Sequence, residues 1–185
     1  ALLAARANRT AIAQVDLEEA RDKVMMGPER RTRKTSEKEK RIVAWHEAGH
    51  AVVARILPGT DPVHKVTLIP RGFGMLGAVY HLPERDKYLS DRSEYMSRLA
   101  SMMGGRAAEE LVFGEITGGA ASDIKQATTL ARRMVCEWGM SEKMGPLAYG
   151  NVKEHVFLGR DLASHQDYSE ATAREIDDEV KSLVS

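Results

Sequence analysis

Residues 44–53 read AWHEAGHAVV, a stretch in which two histidines and a glutamate interrupt an otherwise small and apolar segment. The stretch lies inside a predicted helix that begins at a capping box formed by Ser36 and Glu39. Residues four apart lie on one face of a helix, so His46 and His50 can direct their imidazoles at one point. Buried ionisable side chains without partners destabilise a fold, so the pattern indicates that these side chains have a ligand.

The spacing H-E-x-x-H is typical of a zinc peptidase. Zinc binds imidazole nitrogen at about 2.0–2.1 Å, which both histidines of the motif can supply. Glu47 follows the first histidine and can lie beside the metal without binding it, where it can accept a proton from zinc-bound water. Two other interpretations are a surface helix with incidental His–Glu pairs and a helical assembly module with a structural metal site or none.

Composition restricts the other classes of function. The chain has 185 residues, and its 27 Lys and Arg balance its 27 Asp and Glu, so charge indicates no nucleic-acid partner. The charged run 29–41 mixes acids with bases and predicts a solvated linker that leads into a helix. Cys136 is the only cysteine, which excludes an internal disulfide. No apolar run approaches the roughly 20 residues of a membrane-spanning helix.

Hydrophobic periodicity predicts a mainly α fold with a small β-hairpin. The glycine pattern GFGMLG at 72–77 matches a dinucleotide fingerprint, but β-prone residues follow it, so a hairpin turn is the better interpretation. The predicted helices are two pieces within 1–27, then 36–57, 90–113, 123–138 and 168–184; the predicted strands are 63–69 and 75–82; a Gly-rich loop covers 114–122.

A catalytic zinc site takes a third protein ligand and keeps one position open. Analogy with thermolysin-like enzymes favours Glu109 or Glu110 on the following helix. Asp123 fits equally well, because it opens the helix after the Gly-rich loop. Periodicity leaves the choice open among the downstream candidates, which are Glu109, Glu110, Asp123, His64, His81, His155 and His165.

Three segments carry a resemblance to a known family. They are HEAGHAVVARILPGTDPVHKVTLIPRG (46–72), GGRAAEELVFGEITGGAASDIKQATTLARRMV (104–135) and GMSEKMGPLAYG (139–150). The chain resembles the peptidase domain of the FtsH family. Members of this family are ATP-dependent, membrane-anchored AAA zinc metalloproteases. The resemblance implies one Zn²⁺ per chain, with Asp123 as the third ligand beside the two histidines. It leaves Glu110 as a structural residue or hydrogen-bond partner behind the ligands.

The resemblance also implies a domain organisation. Residues 1–27 are similar to the C-terminal tail of an AAA ATPase lid, 28–35 form a charged linker, and 36–185 form the helical zinc metallopeptidase domain, truncated at its C-terminus. The chain has no G-x-x-x-x-G-K-[ST] loop, so ATP with Mg²⁺ and the membrane anchor are expected upstream. This fragment itself is expected to be soluble.

By the same resemblance, the parent is a homohexamer that acts in protein quality control. It degrades unfolded or misassembled membrane and cytosolic proteins, and no nucleic-acid partner is expected. The expected location is the cell inner membrane with the peptidase facing the cytoplasm, or alternatively an organelle inner membrane.

The expected reaction is hydrolysis of a peptide bond by an endopeptidase. Zinc-bound water attacks the peptide carbonyl, with Glu47 as general base. The alternative is an ATP-independent, thermolysin-type zinc peptidase with Glu110 or Glu109 as third ligand. The predicted strand 75–82 could hold an extended substrate by main-chain pairing.

Overall fold

The computed structural model describes residues 1–29, 35–70, 76–83, 86–150 and 168–185. Most of the predicted hairpin turn and glycine pattern at 70–77, residues 30–34 of the predicted linker, and His155 and His165 lie outside these ranges. The described part is mainly helical with one small antiparallel sheet, which confirms the predicted fold class. Its elements are α1 (Leu2–Arg6), α2 (Gln14–Met26), α3 (Glu37–Ile56), β1 (Val63–Thr67), β2 (Ala78–His81), α4 (Arg92–Phe113), a 3₁₀ turn (Gly118–Ala120), α5 (Ala121–Cys136) and α6 (Glu170–Val184).

Helix α3 begins at the capping box that the sequence predicted. The Ser36 hydroxyl accepts a hydrogen bond from the Glu39 amide at 3.2 Å, and the Glu39 carboxylate accepts one from the Ser36 amide at 2.8 Å. These bonds satisfy two amide groups that a helix start leaves without partners. The H-E-x-x-H segment therefore lies in the middle of a helix with a well-defined start.

Helices α3 and α4 touch through their backbones. A Cβ atom added to Gly49 would lie 2.2 Å from the Gly104 carbonyl oxygen, and one added to Gly104 would lie 2.7 Å from the Gly49 oxygen. Only glycine permits this approach, since any side chain would force the helices apart. Gly49 and Gly104 therefore mark the point where the two helices come closest.

The hydrophobic core lies on the other side of α4, where α5 and α6 pack against it. The buried face of α5 supplies much of this core, although Ile124 near the start of the helix is partly exposed. Cys136 at its end is half-buried, and burial raises the pKa of its thiol. The buried core residues are Leu99, Ala127, Leu130, Ala131, Met134, Val135, Met144, Ile176 and Val180.

The β-hairpin lies against α3 and is shorter than predicted. Its register pairs Thr67 with Ala78, and an irregularity interrupts the ladder between Val63 and Lys65. Lys65 also forms an ion pair of 2.6 Å with the buried Asp22 of α2. The hairpin therefore joins the N-terminal helices to the helix that carries the H-E-x-x-H motif.

None of the helices in the described ranges combines the length and the apolar character that crossing a bilayer requires.

Candidate metal centre

The two histidines of α3 converge as the helical spacing predicts. The Nε2 atoms of His46 and His50 lie 3.0 Å apart, and their rings meet edge to face with an angle of 81° between the planes. Both side chains are largely shielded from solvent. The two nitrogens thus face one shared point beside the helix.

Asp123 brings a carboxylate to the same point. It is the third residue of α5, and its Oδ2 lies 3.3 Å from His46 Nε2 and 3.7 Å from His50 Nε2. A tetrahedral zinc ion with bonds of about 2.0–2.1 Å separates its ligand atoms by about 3.3–3.4 Å. The three distances bracket that value, and two imidazoles with one carboxylate are a donor set that zinc accepts. The residues therefore fit a zinc ion.

The outer nitrogens of the two histidines have different partners. His46 Nδ1 lies 2.7 Å from Glu109 Oε1, and His50 Nδ1 donates to the Ser101 carbonyl oxygen at 2.7 Å. A proton on each Nδ1 leaves the Nε2 lone pair free, so these bonds set the tautomer that metal binding requires. Ser101 and Glu109 both belong to α4, which therefore orients both imidazoles.

Glu109 also connects the histidines to the loop before Asp123. Its Oε2 accepts a hydrogen bond from the Thr117 amide at 2.7 Å, and the Glu109 side chain is almost completely buried. We predicted Glu110 as a structural residue or hydrogen-bond partner behind the ligands, but its side chain is exposed. The structure corrects this choice to Glu109, because the turn of α4 directs position 109 toward α3 and position 110 toward solvent.

The same geometry bears on the alternative third ligands. Glu109 faces the Nδ1 side of His46, away from the shared point, and Glu110 does not approach it. His64 and His81 are exposed on the hairpin, and His81 Nδ1 donates to the Asp61 carbonyl oxygen. In the described ranges, one group of three His, Cys, Asp or Glu donors lies close enough together to hold a metal, namely His46, His50 and Asp123.

Glu47 lies next to the centre but outside the donor set. It is 7% exposed, and its carboxylate and Cγ lie against Gly77, immediately before β2. Burial raises the pKa of Glu47, although the neighbouring histidines oppose that change. A carboxyl group with a raised pKa is a better base than an ordinary glutamate, which suits a residue that must accept and release a proton.

The ionisable groups at the centre shift one another's pKa values. Hydrogen bonding to Asp123 raises the pKa of His46, although burial works against it. Burial alone would raise the pKa of Asp123, but interaction with His46 and His50, when these imidazoles are protonated, holds it well below its usual value. The carboxylate is therefore ionised at neutral pH, which is the form that binds a cation.

Comparison with known proteins agrees with this geometry. The chain is similar to proteins named ATP-dependent zinc metalloprotease FtsH from Thermotoga maritima (54% identical over 185 residues), Myxococcus xanthus (55% over 184 residues) and Pseudothermotoga lettingae (52% over 185 residues). Each alignment covers 100% of this chain and 30%, 29% and 30% of the respective relative. The chain thus spans about a third of the length of the curated relatives that it matches.

A family model provides the second comparison. The model described as Peptidase family M41 matches residues 33–185, a span that holds all three donor residues and Glu47. Since this match extends over most of the sequence, the chain belongs to peptidase family M41.

Proposed function

We propose that this chain is the zinc-dependent endopeptidase part of an ATP-dependent, membrane-anchored protease. The observation that carries the proposal is the convergence of His46, His50 and Asp123 beside the buried Glu47. The names of the relatives support both the metal and the dependence on ATP.

Each residue of the centre has a separate task. His46, His50 and Asp123 would hold one Zn²⁺, which when bound polarises the scissile carbonyl and lowers the pKa of a water molecule. Glu47 accepts the proton from the attacking water and passes it to the leaving amine. Glu109 and Ser101 keep the imidazoles oriented through their Nδ1 atoms.

Strand β2 is the candidate for holding an extended substrate. Gly77, just before it, contacts Glu47, so a peptide paired with this edge would pass close to the general base. Main-chain pairing contributes to binding in the ground state as well as the transition state. Loss of peptide contacts along 76–82 should therefore raise KM while leaving zinc bound.

The wider assignment rests on the relatives and on the family resemblance. Residues 1–27 correspond to the tail of an AAA lid, 28–35 to a linker and 36–185 to the peptidase domain. The parent protein is a homohexamer anchored in the cell inner membrane, with ATP and Mg²⁺ bound in its ATPase domain. Its substrates are unfolded or misassembled membrane and cytosolic proteins.

The decisive experiment replaces the proposed base. Glu47→Gln keeps the shape of the side chain, so zinc should remain bound while proteolysis of an unfolded protein falls by about 10²–10⁴-fold. Glu37→Gln is the matched control, because Glu37 is an exposed glutamate on the same helix and should leave the rate unchanged. Continued proteolysis by the Glu47→Gln variant at the parental rate would refute the role of Glu47.

A further inference from the structure

Gly105 lies directly against the atoms that would bind the metal. A Cβ atom placed on it would be 2.5 Å from His50 Nε2 and 2.7 Å from both Cε1 and Nε2 of His46. Real Cβ atoms do not approach other atoms this closely, so the imidazoles occupy their positions only because position 105 has no side chain. The backbone of α4 thus forms one wall of the metal centre.

The position of Gly105 follows from the spacing on α4. Ser101, Gly105 and Glu109 are each four residues apart, so they lie along one face of the helix. The outer two hold the Nδ1 atoms of His50 and His46 at 2.7 Å, and the glycine lies between them against both rings. The rings therefore cannot move away from position 105 without breaking one of these hydrogen bonds.

Gly77 has a similar relation to Glu47. A Cβ atom on Gly77 would lie 2.6 Å from Glu47 Oε1, 2.7 Å from Cγ and 2.9 Å from Cδ. Gly77 and Gly105 both lack a left-handed φ angle, so alanine fits their backbone conformations. The requirement for glycine at each position therefore comes from the neighbouring side chain.

We propose that Gly105 and Gly77 are positioning residues that control separate parts of the centre. Gly105 allows the two imidazoles to converge and so sets zinc affinity. Gly77 holds the Glu47 carboxylate in its place and so sets the rate of proton transfer without affecting the metal. This inference rests on the proposed zinc peptidase function.

The first test compares zinc binding with the stability of the metal-free protein. In the full chain, Gly105→Ala should weaken zinc binding by about 10–100-fold, as loss of support for a metal ligand typically does. Its metal-free form should lose less stability than Gly104→Ala does, because tilting the imidazoles breaks at most one hydrogen bond, whereas the α3 backbone against Gly104 has no such freedom. Gly118→Ala is the matched control, since an added Cβ meets nothing within 4 Å there.

A second variant separates positioning from packing. Gly104→Ala drives a Cβ into the α3 backbone, so its metal-free form should melt well below the parent. Parental zinc affinity in Gly105→Ala would overturn the proposal for that residue. A metal-free Gly105→Ala protein that melts as low as Gly104→Ala would also overturn it, because the glycine would then serve only helix packing.

The second test concerns Gly77. Gly77→Ala should bind zinc within about twofold of the parent but lose about 10²-fold in kcat, since small misplacements of a catalytic group have effects of this size. Adding Gly77→Ala to Glu47→Gln should cause little further loss of kcat, because both changes disable the same carboxylate. Loss of zinc from Gly77→Ala, or an additive effect in the double variant, would overturn the role of Gly77.

These outcomes are distinguishable from failure of the proposed function. If the parental chain binds no zinc, the peptidase proposal itself fails. If the parent binds zinc and hydrolyses peptides while both alanine variants match it, only the positioning roles of the two glycines fail.

Discussion

Exchange of Glu109 for glutamine tests how the buried acid supports the metal centre. The Glu109 carboxylate accepts hydrogen bonds from two donors at once, namely His46 Nδ1 and the Thr117 amide, each at 2.7 Å. Glutamine keeps the shape but has only one accepting oxygen, and its NH₂ group must face the other donor. Thr117 is exposed and can turn to water, whereas the buried His46 cannot.

The expected magnitude follows from these contacts. Loss of a partner behind a metal ligand typically weakens metal binding by about 10–100-fold, which corresponds to about 1.4–2.8 kcal/mol. A buried donor left without an acceptor costs about 1–3 kcal/mol, which is the same range. Because glutamine can still offer its oxygen to His46, we expect Glu109→Gln to lie near the lower end, at about tenfold.

Competition with a chromophoric chelator of known zinc affinity measures this difference directly. Glu110→Gln is the matched control, because it makes the same chemical change one position along α4 on an exposed residue. We expect that variant to bind zinc as the parent does. A Glu109→Gln variant with undiminished affinity, or a Glu110→Gln variant with reduced affinity, would contradict the arrangement of α4 behind the histidines.

Other perturbations have equally definite outcomes. Asp123→Ala should reduce bound zinc to a trace by elemental analysis, because two imidazoles alone do not complete the donor set. Removal of zinc from the parent with a chelator should lower its unfolding temperature reversibly. The unfolding free energy should fall by roughly 4 kcal/mol where free zinc had been about 1,000 times its Kd. Ser141→Ala should destabilise the fold by about 1–3 kcal/mol in thermal unfolding, since the buried Met144 amide loses its acceptor. The hydrogen bond from Arg9 lowers the pKa of Asp16 in the folded protein. The stability that this carboxylate contributes is therefore complete above its unfolded pKa of about 3.9. It is lost as the pH falls through the lower pKa of the folded state. Acid titration followed by circular dichroism should therefore show Asp16→Asn to be less pH-dependent than the parent.

The sequence predicted the helix of the H-E-x-x-H motif closely because its signals are local. A capping box starts α3 at Ser36, and the four-residue spacing alone determines that His46 and His50 share a face. Asp123 is different, because its approach to the histidines depends on how α5 packs against α4. The residues left Asp123 and the two glutamates open, and the family resemblance selected the aspartate. Its role as a ligand stays a prediction.

The choice of Glu110 over Glu109 shows where local reasoning was incomplete. The relevant signal was which face of α4 packs against α3. Gly105 faces the histidines, and Glu109 lies four residues further along on the same face. This spacing identifies Glu109 only after Gly104 is known to contact α3. Two adjacent glutamates cannot be distinguished by composition or by motif spacing.

The strands were predicted too long for a related reason. Leu68 and Ile69 have high β-propensity, but the ladder ends where Thr67 pairs with Ala78. Beyond that pair, the chain at Gly77 approaches Glu47. Propensity reports what a residue favours, whereas the length of a strand depends on which partner backbone lies beside it.

The two histidines differ in the kind of acceptor that orients them, which has a consequence for how substitutions are tolerated. His50 is held by the main-chain oxygen of Ser101, and every amino acid supplies that atom. His46 is held by the Glu109 side chain, which a single amino-acid substitution can remove. Substitutions at position 101 should therefore be tolerated wherever the new side chain fits, whereas position 109 should accept only residues whose side chain still offers an acceptor to His46.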